Sequence, residues 1–311
     1  MRTSSSLGCL LLVFSLSAEA NWFKERLKAR LSKQPAPELS ATVKKLQVGG
    51  VDRYYTIHFP KSYDPKKATP VVLAFHGGGG NMALQANDET YGLITKSEEA
   101  GFIAVLPNGH SPFRSGKLAT WNAGKCCGFA RDAKSDDVGF IRALVESLAT
   151  QHTIDRQRIF AIGMSNGGMM SYRLACELSD VIKGIAAVAG TDNTSECAPK
   201  NPVPVLHIHA KDDDHVLFEG GAGKNAFKDR RQITDYVSVP ATMAKWVKLN
   251  GCKAPVKKLN QYCESYPGCG VQLCVTPDGK HSWPGGKTHT GEKGSTAFKA
   301  NDVIWDFFRS I

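Results

Sequence analysis

The chain has 311 residues, 42% of them hydrophobic, and a net charge of +10 at pH 7. That is enough apolar material to bury one large α/β core, or less readily two ordinary ones. The basic excess is scattered through 61–67, 244–258 and 280–299 without the aromatic interleaving or motif of a nucleic-acid binder. It reads as a solvated basic surface, with attraction to acidic polysaccharide or an anionic envelope as the alternative.

In chain order, Arg2, the apolar stretch from Leu7 to Leu16 and Ala18-Glu19-Ala20 fit a secretory signal over residues 1–20. The mature protein is then expected to begin at Asn21 and to be secreted or periplasmic. The apolar stretch is too short to span a bilayer, and no later one is longer, so no membrane span is expected. Residues 21–40 read as a short amphipathic helix, with Phe23, Leu27 and Leu31 at four-residue spacing, followed by a linker. Residues 41–311 read as a single catalytic domain. Of nine cysteines, eight remain once Cys9 leaves with the signal, an even number that suits disulfides in an oxidising compartment. Cys263 and Cys269 are close enough to bridge a small loop, but eight cysteines allow roughly a hundred connectivities, so the pairing stays open.

From 41 onward, "TVKKLQV" and "RYYTIHF" read as an antiparallel lead-in broken by Gly49-Gly50. Apolar runs at 71–76, 102–106, 158–162, 184–189 and 203–209 are too short for helices and read as buried parallel strands. Helical stretches are expected at 84–99, 136–151, 167–179, 240–250 and 297–309, with a late strand at 271–275. Strands alternating with helices imply an α/β fold, a mostly parallel sheet covered on both faces.

Within that frame, Gly163-Met164-Ser165-Asn166-Gly167 falls between an expected strand and an expected helix. A serine on a strand–turn–helix elbow projects above the sheet edge, and the glycines permit the crowded turn. A serine hydroxyl is a weak nucleophile without a base, so the chain must also supply a histidine and an acid that orients it. His281 lies after the last strand, and Asp212-Asp213-Asp214 follows the strand ending at His209, which preserves the order serine, acid, histidine. For a developing oxyanion, the backbone N–H of Asn166 and one from the His76-Gly77-Gly78-Gly79-Gly80 loop, assigned to Gly78, are the candidate donors.

Together "HGGGGN", "TWNAGKCCG", "DDVGFI", "GMSNGGMMSYRLAC" and "GKHSWPGG" resemble the secreted esterases grouped with polyhydroxybutyrate depolymerases and feruloyl esterases, which have the α/β-hydrolase fold. The resemblance runs from about residue 45 to 290 and implies Ser165 as nucleophile, His281 as base and Asp213 as acid. The chain departs from the family pattern at Ala210, where glycine is usual, and in its three successive aspartates, which keep Asp212 and Asp214 as alternatives. Trp121, Trp283 and Phe218 are candidates to line an acyl pocket. No cofactor or metal is required. The expected partners are small-molecule or oligomeric esters of feruloyl or hydroxyalkanoate type, including acylated polysaccharide side groups, rather than nucleic acid. Two rival readings remain: a non-catalytic binding protein on the same fold, and a metallohydrolase using His207 and His209 with the aspartates and His215 nearby.

Overall fold

The computed structural model describes residues 43–226, 235–288 and 291–311. The signal expected over 1–20 and the amphipathic helix expected at 22–33 lie outside the described residues. Ten strands form one sheet: β1 (Val43–Val48), β2 (Val51–His58), β3 (Thr69–Phe75), β4 (Ile103–Pro107), β5 (Ile154–Met164), β6 (Gly184–Val188), β7 (Val205–Ala210), β8 (Lys257–Lys258), β9 (Cys263–Tyr266) and β10 (Val271–Thr276). Their spatial order is β1-β2-β4-β3-β5-β6-β7-β10-β9-β8. The six central strands, from β4 to β10, run parallel, and the pairs at both edges are antiparallel. This is the architecture of an α/β-hydrolase, a mostly parallel sheet with helices on both faces.

Every residue of β3, β4, β6 and β7 is buried, as continuous apolar strands covered on both faces must be. Successive side chains point to opposite faces, so β3 sends Val71, Leu73 and Phe75 into one core layer and Val72 and Ala74 into the other. The first layer takes apolar side chains from the helices Asp137–Gln151, Asn166–Glu177 and Val239–Leu249. The second packs beneath the helix Ala300–Arg309 through Ile304, Phe307 and Phe308.

The helix expected over 84–99 is instead three: α1 (Met82–Gln85), α2 (Asp88–Tyr91) and α3 (Leu93–Ala100). Asn87 caps α2 by accepting the Glu89 N–H, and Gly92, at φ +60°, ends α2 and opens α3. Such short-range polar caps compete with a continuous helix, and here they override its periodicity. The remaining helices are α4 (Gly128–Asp132), which the apolar pattern did not predict, α5 (Asp137–Gln151), α6 (Asn166–Glu177), α7 (Val239–Leu249) and α8 (Ala300–Arg309). No helix among the described residues is long and apolar enough to cross a membrane.

The cysteines pair as Cys126–Cys127, Cys176–Cys197, Cys252–Cys269 and Cys263–Cys274. Of the pairings the sequence left open, the small loop from Cys263 to Cys269 is not the one that forms. Strands β9 and β10 are antiparallel with Cys263 directly opposite Cys274, and this register decides the partner. The short strands β8 and β9 also escaped the sequence pattern, being of only 2 and 4 residues and largely polar.

Candidate active site

Strands β5, β7 and β10 end at the same edge of the sheet, the carboxyl edge where open α/β sheets bind ligands. Ser165 sits in the turn between β5 and α6 with φ +56° and ψ −122°, a conformation L-residues rarely adopt. Its N–H donates to the Val188 carbonyl at 2.8 Å, which fixes the turn to β6. The flanking glycines are required by close approach. A Cβ on Gly167 would collide with the carbonyl of Phe75, and one on Gly163 with the backbone of Gly167. Strand β3 and helix α6 therefore meet at van der Waals distance directly beneath the serine.

Asn166, 2% exposed, turns its side chain inward. Its Oδ1 accepts the Trp121 N–H at 2.7 Å and its Nδ2 donates to the Trp121 carbonyl at 3.0 Å. The Trp121 indole donates to the His76 carbonyl at 3.1 Å. The amide thus ties the elbow to the 119–122 loop and, through the indole, to the glycine loop after β3, leaving the backbone N–H of Asn166 in the first turn of α6, where no intrahelical acceptor exists. In the glycine loop, the N–H of Gly79 is spent on Ala119 and that of Gly80 on Gly77. The N–H of Gly78 has no acceptor among the described residues, and Gly78 lies against Asn166, where an added Cβ would stand 3.5 Å from the Asn166 Cβ.

Trp121 is wholly buried, packed edge-on against Phe75. The expectation that it lines an acyl pocket is corrected: its amphipathic ring is consumed in bracing the elbow. Phe218 is likewise absent from the cleft lining and lies under the Lys211 ammonium at 3.8 Å. Trp283 does line the cleft, 2% exposed and edge-on to Tyr91 at 5.5 Å.

The three aspartates have separate partners. Asp213, 3% exposed, accepts the His281 Nδ1–H at 2.9 Å on Oδ2 and 3.1 Å on Oδ1. Its Oδ1 also accepts the N–H groups of His215 at 2.8 Å and Val216 at 2.9 Å. Burial alone would raise this carboxyl's pKa, but His209 and His281 beside it hold it below the ordinary carboxylate range. Asp212 instead accepts the Lys280 N–H at 2.9 Å, steadying the loop that carries His281. Asp214 bonds His215 Nδ1 and Asn225 Nδ2, each at 2.7 Å. The His215 ring stacks on His281 with centroids 4.5 Å apart and planes 15° apart. In the sequence His215 stands out only as a neighbour of the metal alternative, because a histidine beside an aspartate run carries no periodic or motif signal for this stacking.

Ser165, Asn166, Gly78 and His281 all face one cleft of about 530 Å³. His207 and His209 do not. They are buried in β7, and all four of their ring nitrogens meet protein partners. A further structural element is Asp137, wholly buried, which pairs with Arg53 at 2.6 Å and accepts the Asn122 N–H at 2.8 Å. The "DDVGFI" segment therefore anchors the loop that carries Trp121, while Asp136 caps α5 through the Gly139 N–H.

The fold is that of an α/β-hydrolase. The family model for phospholipase/carboxylesterase matches residues 62–232. Feruloyl esterase B of Piromyces equi is 28% identical over 247 residues, 76% of this chain, and the chain spans 44% of that relative's length. Feruloyl esterase C of Emericella nidulans is 29% identical over 244 residues, covering 75% of this chain and 83% of the relative. Among solved structures, acetyl xylan esterase from Aspergillus awamori superposes with a TM-score of 0.59 at 14% identity, over 87% of this chain and 100% of that one. The chain belongs to the phospholipase/carboxylesterase family, and it is an esterase related to the feruloyl esterases.

Proposed function

We propose that this esterase works through a serine acyl-enzyme, with Ser165 as nucleophile, His281 as general base, Asp213 as orienting acid, and the N–H groups of Gly78 and Asn166 as oxyanion donors. The observation that carries the reading is the buried Asp213 carboxylate clamped on His281 Nδ1, in the cleft that also holds the strained Ser165. With Nδ1–H committed to Asp213, the other ring nitrogen keeps its lone pair for the serine proton. Ser165 Oγ then adds to the ester carbonyl, and the two N–H groups receive the charge as it forms on oxygen. His281 passes the proton to the leaving alcohol, and water cleaves the acyl-enzyme by the same base.

The substrates we assign are esters of aromatic acids of the feruloyl type, as small molecules or as side groups of polysaccharide. The support is kinship with enzymes named feruloyl esterase and a cleft walled on one side by Trp283 and Tyr91. Export through residues 1–20 is part of the same reading, supported by the disulfides.

The test is hydrolysis of p-nitrophenyl acetate, methyl ferulate and hydroxybutyrate oligomers by wild type and Ser165→Ala. We expect Ser165→Ala to lose all three activities, and kcat/KM on methyl ferulate to exceed that on the oligomers. A Ser165→Ala protein as active as wild type overturns the mechanism, and preference for the oligomers overturns the substrate class.

A further inference from the structure

Behind the triad, on the α6 side of the sheet, lies a row of buried polar groups that the ester chemistry does not use. Tyr172 projects from α6, and His207 and His209 from alternate positions of β7; none is more than 1% exposed. The Tyr172 hydroxyl is 2.8 Å from His207 Nδ1, and His207 Nε2 is 3.1 Å from His209 Nδ1. His209 Nε2 is 2.8 Å from the Val216 carbonyl and 3.3 Å from Asp213 Oδ2. The two imidazoles are stacked, with planes 16° apart.

The direction of every proton in this row follows from its two ends. A carbonyl and a carboxylate can only accept, so His209 must carry its proton on Nε2, donating it to the Val216 carbonyl with the Asp213 carboxylate close beside it. Its Nδ1 is then a lone pair, which His207 must meet with Nε2–H, and His207 Nδ1 in turn accepts from Tyr172. The other end agrees: His207 is the only acceptor for the Tyr172 hydroxyl proton among the described residues. Reversal would strand that buried donor and set the His209 lone pair against two oxygens. Burial favours the neutral forms, pushing His207 well below the ordinary imidazole pKa, with His209 adding, and Tyr172 well above the ordinary phenol value, with Asp192 adding.

We propose that Tyr172, His207 and His209 are positioning residues for the triad, a one-way row of donors that turns His209 Nε2–H toward Val216 and the same Asp213 oxygen that His281 uses. This rests on the reading of Asp213 and His281 as catalytic. A second imidazole N–H beside Oδ2 lowers the carboxylate's proton affinity, so that the proton taken from Ser165 stays on His281 and is available to the leaving alcohol. It also keeps the carboxylate from rotating out of the plane of the His281 ring.

The experiment has two arms. Histidine ¹⁵N spectra of the wild-type protein are expected to show both His207 and His209 as the neutral Nε2–H tautomer; an Nδ1–H tautomer or an imidazolium at either overturns the proposal without any variant. In kinetics, His209→Leu is expected to lower kcat by about ten- to a hundredfold, the loss seen when an outer hydrogen-bond partner of a metal ligand is removed, with KM little changed. His209→Gln, whose amide nitrogen can donate from nearly the same place, should recover most of that loss. Equal losses in the two variants, or none in His209→Leu, overturn it. Failure of the triad reading is seen separately, as activity surviving in Ser165→Ala, and leaves the spectra unaffected.

Discussion

Asn166→Asp replaces the amide that locks the elbow to Trp121 with a group of the same shape and opposite hydrogen-bonding sense. The amide nitrogen now donates to the Trp121 carbonyl at 3.0 Å, at a site 2% exposed. A carboxylate there would set negative charge against a carbonyl oxygen, whereas a protonated carboxyl can donate as the amide does. The variant therefore folds with the introduced carboxyl neutral. Holding a carboxyl protonated at pH 7, about 3 units above its ordinary pKa near 3.9, costs about 1.36 kcal/mol per unit, or roughly 4 kcal/mol. At pH 5 the same reasoning leaves about 1.5 kcal/mol. The sign follows because the folded variant binds a proton that its unfolded chain has released, so its stability relative to wild type falls as pH rises. Urea denaturation of both proteins at pH 5, 6 and 7 measures the difference, expected to widen by roughly 1.4 kcal/mol per pH unit. A difference below about 1 kcal/mol at pH 7, or one independent of pH, would refute the assignment of the amide as the buried clamp.

Gly167→Ala drives a methyl into the Phe75 carbonyl and is expected to lose about 3 kcal/mol by overpacking, with a melting temperature lowered by several degrees; an unchanged melting curve would mean that the elbow relaxes. Asp213→Asn removes the anion from His281 Nδ1 and favours the wrong ring tautomer, so kcat is expected to fall on the order of ten thousandfold, and a loss under tenfold would count against Asp213 as the acid. Buried His76, whose pKa burial lowers to about 4 despite its bond to Gly77, refuses a proton that the unfolded chain accepts below pH 6.5. Stability should therefore decline from about pH 6.5 downward, by about 3 kcal/mol at pH 4 from this group alone, with buried His207 acting in the same direction; urea midpoints unchanged between pH 7 and 4.5 would contradict it.

The sheet's central strands were legible in the sequence because both their faces are covered: a strand buried on two sides must be a short continuous apolar run, and each of those at 71–76, 102–106, 158–162, 184–189 and 203–209 overlaps a strand of the structure. The elbow was legible because close approach of α6 to β3 leaves room only for glycine at 163 and 167. The strands β8 and β9 were hidden by their shortness and polarity, and α1 to α3 were misread as one helix because Asn87 and Gly92 act through local caps that leave apolar spacing intact.

What the sequence determined by itself was the alternation of strands and helices and the placement of Ser165, the aspartates and His281 after successive strands, since both are properties of local pattern. Which of three consecutive aspartates meets His281, that Trp121 braces the elbow rather than lining the cleft, that Cys263 pairs with Cys274, and that His207 and His209 face inward to Tyr172 and Asp213 were decided only by tertiary structure. These depend on register and direction between segments far apart in sequence. A one-residue shift there turns each side chain to the opposite face of the sheet.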